Sequence, residues 1–261
     1  MNYLTAIFLG LVEGLTEFLP ISSTFHLIWT GKMLALAENE FLTIFEVVIQ
    51  AGAIFAVIVL YHQTIWLEKR YFRLLSLSFF PTMLVGLLLY KTIKGVFFAN
   101  DLLQISVFIS FGIVFIIFEK YSHDKKLTRL GNSLKNKEAL LVGLAQGLAV
   151  IPGISRAGVV ILALMLLGIK RAEAAKYSFL LAAPTILAAA SFDFWQNKDL
   201  LLFNSNYLWQ LVIGMIVSFL SALVVMKLFI TFLQKHSLVF FGYYRIIVGL
   251  LIVVYLLLTS K

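Results

Sequence analysis

From residue 241 to 259 the chain reads FGYYRIIVGLLIVVYLLLT, and five more apolar stretches lie at about 42–61, 73–90, 101–118, 173–194 and 207–232. A helix needs about 20 apolar residues to cross the hydrocarbon core of a bilayer, and these stretches have that length. A soluble protein carries roughly 25% charged residues; this chain of 261 residues carries 13% and is 61% hydrophobic. Its mean hydropathy is +0.98. These features predict an all-α integral membrane protein with six transmembrane helices in the cell membrane. With no cysteine, disulfides and thiolate metal sites are excluded. The start, MNYLTAIFLGLVEG, has no basic region and no small-residue cleavage site, so it reads as mature sequence. The formal charge of +8 does not point to nucleic acid. The basic residues cluster between the apolar spans, where the positive-inside rule explains them.

Two further segments are apolar but interrupted. The first, residues 2–37, contains EGLTEFLPISSTFH (13–26). Ionisable groups at membrane depth mark function by default. Glu13 and Glu17 are four apart and share a helix face. Pro20 is expected to stop that helix, and Ser22, Ser23 or Thr24 to cap a second one. A helix N-terminus at such a break favours anions. The second segment, about 138–169, is broken at Pro152-Gly153.

The two segments repeat each other. With a shift of 133 residues, GLVEGLTEFLPIS (10–22) falls on GLAQGLAVIPGIS (143–155), with six of thirteen positions identical. Both copies carry G-x-x-x-G, which lets helices approach closely. Glu13 then faces Gln146, Glu17 faces Val150 and Ser23 faces Arg156. One half supplies acid and hydroxyl, the other a guanidinium. Each half reads as a re-entrant helical hairpin followed by three spans. Three crossings is odd, so the second half enters from the opposite side, as in an inverted-topology repeat. The expected organisation is one membrane domain of two repeats, about 1–119 and 138–261, joined by a cytoplasmic loop. The connections at 61–73, 119–138, 168–176 and 233–245 hold 14 Lys and Arg, against 5 on the other side (Lys32, Lys91, Lys94, Lys198 and Lys261). Arg156 and Lys227 fall within membrane segments. This count places the 119–138 loop in the cytoplasm, both termini outside, and the first hairpin and its site at the outer face.

EGLTEFLPISSTFH resembles the glutamate-rich motif of the undecaprenyl-diphosphate phosphatases, the bacitracin-resistance family. PGISRAGVV (152–160) resembles that family's PGxSRSxxT motif, and FEVVIQAG (45–52) and YSFLLAAPT (177–185) resemble further family segments. The resemblance implies hydrolysis of a polyprenyl diphosphate to the monophosphate. That reaction recycles the lipid carrier of cell-wall synthesis and confers bacitracin resistance. It also implies assistance by a divalent metal, Mg²⁺ or Ca²⁺, and an active-site set matching Glu13, Glu17, Ser23, His26 and Arg156.

The residues suit that chemistry. Arg156 can grip a diphosphate with a bidentate fork, and Ser155, Ser22, Thr24 and Gly153 lie where the two breaks would meet it. Glu13 and Glu17 make sense with a cation between carboxylate and phosphate oxygens, or one of them as a base. Ser23 and His26 are three apart, so His26 is expected to reach or orient Ser23 as a nucleophile. Glu46 and Gln50 read as neighbours of the site, Lys227 as a snorkelling side chain and Asp193 as a helix-end residue. Three positions depart from the family pattern: Ala157 and Val160 replace hydroxyl residues, and Phe25 replaces a glycine. The competing function is a lipid-carrier flippase or transporter, for which inverted repeats are a common architecture. A phosphatidic-acid-type phosphatase is excluded by the absence of its K-x₆-R-P motif. The expected partners are the polyprenyl diphosphate, the bilayer and a second copy of the chain in a homodimer.

Overall fold

The computed structural model describes every residue except 38, 97–99, 123–126, 203 and 260–261, and describes only the backbone at 90–96, 122 and 202. Lys125, Lys126 and Lys261, and the side chains of Lys91 and Lys94, entered the charge count and lie outside the described residues. The described residues form helices and no strand.

The chain opens with α1 (Tyr3–Thr16) and α2 (Ser23–Met33), followed by α3 (Glu40–Val48) and α4 (Gln50–Leu67), which together make one apolar span. α5 (Lys69–Val96) and α6 (Asp101–Ser122) complete the first half. The second half runs through α7 (Asn136–Gly147), α8 (Arg156–Leu166), α9 (Arg171–Gln196), the short α10 (Lys198–Leu202), α11 (Ser205–Lys235) and α12 (Val239–Thr259). Six helices are long and apolar enough to cross a membrane: Glu40–Leu67, Lys69–Leu89, Asp101–Tyr121, Arg171–Gln196, Ser205–Lys235 and Val239–Thr259. They are the six stretches predicted from the sequence. Their outer faces expose Leu87, Leu88, Leu251, Leu257 and Leu258, as lipid-facing surfaces do.

The remaining helices are short. α1 has 14 residues and α2 has 11, so each rises about 21 Å or less, short of the ~30 Å hydrocarbon core. α7 and α8, with 12 and 11 residues, are shorter still than a span.

Packing crosses between the halves. α1 lies on α11, and α7 lies on α5; α4 meets α9, and α6 meets α12. The glycines permit this. A Cβ on Gly10 would sit 2.5 Å from the carbonyl oxygen of Gly214, and one on Gly14 would overlap Ser218 and Ser221. In the second copy, a Cβ on Gly143 would overlap the Ser78 carbonyl and Pro81. Both G-x-x-x-G stretches are therefore used for backbone contact, each against a helix of the other half.

The first break differs from expectation in two ways. α1 ends at Thr16, four residues before Pro20, and residues 17–21 form turns. Glu17 sits at the helix end, where its N–H still donates to the Glu13 carbonyl at 2.9 Å; that bond preserves the one-face spacing. Ser22 precedes α2 but its side chain makes no capping bond. Its φ of +66° is costly for a residue with a Cβ, and such strain is held only by surrounding structure. At the second break the positive φ, +94°, falls on Gly153, where it is free of that cost. Ser155 does cap α8, accepting from the Gly158 N–H at 3.1 Å.

Candidate active site

The two breaks meet. Ser155 Oγ donates to the Leu19 carbonyl at 3.4 Å, joining the second break to the first. Between them lies a cavity of ≈ 200 Å³ whose polar lining includes Glu17, Ser22, Ser23, Thr24, Ser155 and Arg156.

Glu17 is the hub. One carboxylate oxygen accepts from Arg156 Nη2 and the other from the Ser23 hydroxyl. The ion pair is withdrawn from solvent, with side chains 5% exposed for Glu17 and 15% for Arg156. A second guanidinium donor, Nη1, reaches the Ala182 carbonyl at 3.4 Å. The third, Nε, is buried with no partner among the described residues. Buried donors are seldom left unpaired without reason.

Glu13 is fully buried, and neither of its carboxylate oxygens has a hydrogen-bond partner among the described residues. A naked carboxylate there would be costly. Its environment therefore suits a proton or a cation. No group of three His, Cys, Asp or Glu side chains gathers there among the described residues, so a metal ion would have two protein carboxylates at most. That donor set fits a hard cation that keeps water and phosphate oxygens in its shell.

His26 departs from expectation. Its Nδ1 lies 2.8 Å from the Ser22 carbonyl and its Nε2 lies 2.9 Å from the Tyr244 hydroxyl. The carbonyl can only accept, so Nδ1 carries the proton and Nε2 accepts from Tyr244. Both ring nitrogens are committed, and neither goes to Ser23. The i, i+3 spacing put the two side chains on one face, but the irregular backbone at Ser22 offered the imidazole a nearer acceptor. His26 thereby clamps the strained residue, while Glu17 takes the place beside the Ser23 hydroxyl.

The second half contributes more than Arg156. Gln146, which faces Glu13 in the repeat, donates from Nε2 to both Thr82 Oγ1 and Thr185 Oγ1 at 3.1 Å. All three line the cavity, as does Gln50, whose side chain bonds back to the Glu46 carbonyl. Lys227 is exposed on α11, and the Asp193 carbonyl accepts from Asn197 at the end of α9; both are where the sequence placed them.

Arg245 is the principal residue that sequence reasoning missed. It was counted with the cytoplasmic connection before α12. It lies inside α12, wholly buried. The signal was present: an arginine at the start of an apolar run is either a flank or a function. Its depth decides between them, and the charge asymmetry stands without it.

Residues 6–251 match the family described as bacitracin resistance protein BacA. The chain is 43% identical to the undecaprenyl-diphosphatase of Aquifex aeolicus over 94% of this chain and 95% of that protein. It is 41% identical to that of Campylobacter fetus over 98% and 100%, and 40% identical to that of Acinetobacter baumannii over 95% and 94%.

The chain belongs to the bacitracin resistance protein BacA family.

Within that family pattern the three departures leave the cavity intact. Ala157 and Val160 are buried and lie outside the cavity lining, where Thr82, Gln146 and Thr185 supply polar groups. Phe25 does not crowd the site. It turns away to stack on Phe108, with ring centroids 3.8 Å apart and planes within 7°.

Proposed function

We propose that this chain is a membrane phosphatase that hydrolyses undecaprenyl diphosphate to the monophosphate and phosphate. It thereby recycles the lipid carrier of envelope glycan synthesis and confers resistance to bacitracin. The observation that carries this reading is a pair of unsatisfied groups, one on the cavity lining at Arg156 and one fully buried outside that lining at Glu13. Glu13 offers two free carboxylate oxygens and Arg156 a free Nε–H, the donors and acceptors that a metal-bound diphosphate would complete.

In the proposed reaction Arg156 turns its free donor to the terminal phosphate and stabilises charge developing there. The N-terminus of α2 and the residues Ser22, Thr24, Gly153 and Ser155 orient the diphosphate. Ser23 attacks the terminal phosphorus as its hydroxyl proton passes to Glu17. The bond to the bridging oxygen breaks, and polyprenyl monophosphate leaves. Water then cleaves the phosphoserine, and Ser23 recovers its proton from Glu17 as phosphate departs. His26 holds the Ser22 carbonyl and so fixes the direction of Ser23. A divalent cation held by Glu13 and Glu17 would neutralise phosphate charge, and Mg²⁺, which retains water and binds few carboxylates, suits this donor set better than Ca²⁺.

The short helix pairs α1–α2 and α7–α8 read as re-entrant hairpins that enter from opposite faces, with 1–119 and 138–261 as inverted repeats of one membrane domain. The crossed packing of α1 on α11 and α7 on α5 supports this, since a two-fold exchange of halves maps one contact onto the other. The Lys and Arg asymmetry supports a site open to the outer face of the cell membrane and a cytoplasmic 119–138 connection. Homodimerisation is a separate proposal, tested by mass in detergent.

The functional test is phosphate release from undecaprenyl and shorter prenyl diphosphates by detergent-solubilised protein, with and without chelator. Release is expected without any second compartment. A flippase would release none, and that result would overturn the reading.

A further inference from the structure

Arg245 has no exposed surface, and among the described residues no carboxylate pairs with it. A buried cation without a counter-ion is costly unless dipoles replace the missing charge. Here the dipoles are carbonyls from three places in the chain. Nε donates to the Phe108 carbonyl of α6 at 3.0 Å, Nη1 to the Pro20 carbonyl at 3.2 Å, and Nη2 to the Gly153 carbonyl. The guanidinium also lies over the Phe108 ring at 4.3 Å and near Phe111 at 5.1 Å.

Two of these acceptors are not arbitrary. Pro20 and Gly153 belong to the two breaks, and they correspond under the same shift of 133 residues that relates Ser23 to Arg156. Each acceptor lies three residues before the reactive side chain of its own half. One rigid fork therefore bonds to both loops at once, beside the Ser155–Leu19 and Arg156–Glu17 contacts that also join them. The adjacent residue, Tyr244, holds His26 at Nε2, so α12 touches both the frame and the clamp of the site.

We propose that Arg245 is a positioning residue: it sets the register of the two breaks and so aims Arg156 at the phosphate beside Ser23. The proposal rests on the phosphatase reading for its catalytic consequence. Lysine keeps the charge but is a point donor, not a planar fork, so it cannot span two fixed carbonyls.

The test is a double-mutant cycle on detergent-solubilised full-length protein, with kcat, KM and melting temperature measured on each preparation. Arg245→Lys is expected to lower kcat/KM by about tenfold or more, as loss of oriented alignment does. In an Arg156→Lys background, where the aligned group is already gone, the same change should cost less than about threefold. Equal losses in both backgrounds would mark Arg245 as merely structural, and an unimpaired Arg245→Lys enzyme would overturn the proposal outright. Phe111→Leu, which removes a ring from beside the guanidinium and leaves the carbonyls, is expected to give the same non-additivity at smaller size. It carries the cycle if Arg245→Lys does not fold. A second readout needs no turnover. Cysteines placed at Leu19 and Ser155, the point where the breaks touch, are alone in this chain and can be joined by a short bifunctional thiol reagent. Arg245→Lys, or Phe111→Leu in its place, should change the crosslinking rate by about tenfold for the lysine variant and less for the leucine; an unchanged rate would refute the register role. If wild-type protein releases no phosphate from any prenyl diphosphate, the functional reading fails, and the crosslinking result still decides Arg245.

Discussion

Arg156 and Glu17, 139 residues apart in sequence, form one buried ion pair at the meeting point of the two broken segments. The pair joins the acidic half of the site to its basic half, and Ser23 hangs from the same carboxylate.

Glu17 should therefore be the least replaceable residue. Glu17→Gln removes the proton acceptor of Ser23 and leaves the Arg156 guanidinium without its anion. We expect kcat to fall by about 10²–10⁴, the range for loss of a positioned base, with phosphate release as the assay. An active Glu17→Gln enzyme would exclude Ser23–Glu17 chemistry.

Arg156→Lys should not be conservative. The fork now splits between Glu17 and the Ala182 carbonyl, and lysine cannot serve both and still reach a phosphate. A rate loss of about 10²–10³ is expected. If the variant instead loses only melting temperature and the folded protein turns over normally, Arg156 is a structural partner of Glu17.

Glu13 should separate stability from function. Both of its buried oxygens lack partners, so Glu13→Gln removes a costly charge without loss of shape. The melting temperature in chelator should hold or rise, as at sites where function is kept at the expense of stability. Activity should fall, and stabilisation by added Mg²⁺ should disappear. Mg²⁺ raising the melting temperature of both proteins equally would remove Glu13 from the metal site.

The connection before α7 carries a pH dependence of stability. Arg129 donates to both oxygens of Glu138, at 3.0 and 2.8 Å, and this holds the Glu138 carboxyl below its usual range. A carboxylate depressed in the folded state stabilises above its unfolded pKa, and that contribution is lost as pH falls through the folded value. Melting temperature should thus drop on acidification below the ordinary carboxylate range, and Glu138→Gln should flatten that part of the profile.

Orientation can be read with a single thiol. Asn136 is exposed at the start of α7 and the native chain has no cysteine. Asn136→Cys should resist an impermeant reagent in intact cells and react after permeabilisation. Labelling in intact cells would invert the topology.

The six spans were legible because an apolar run of bilayer length has few other uses, and the helix contacts at Gly10 and Gly143 because their spacing is itself the packing instruction. The charged residues of the site were legible for a different reason: Glu13, Glu17 and Arg156 are charged where charge is costly. What could not be read was direction. Nothing in SSTFH says that Ser22 takes a positive φ, that His26 will donate to its carbonyl, or that Phe25 will turn toward Phe108. Those choices depend on α6 and α12, which the chain supplies some 80 and 220 residues later. Arg245 was misplaced for the same reason, since its depth along α12 decides whether an arginine meets water or three backbone carbonyls.

The crossed seating of α1 on α11 and of α7 on α5 has a consequence for how the chain can be divided. Neither half keeps the long helix on which its own first short helix chiefly lies, α11 for α1 and α5 for α7, so each is an unfinished object with a glycine groove waiting for the other. Severed in the connection between α6 and α7, the two pieces should be individually unproductive yet recover the enzyme when made together. In that sense the molecule is an obligate pair that happens to be written on one strand of polypeptide.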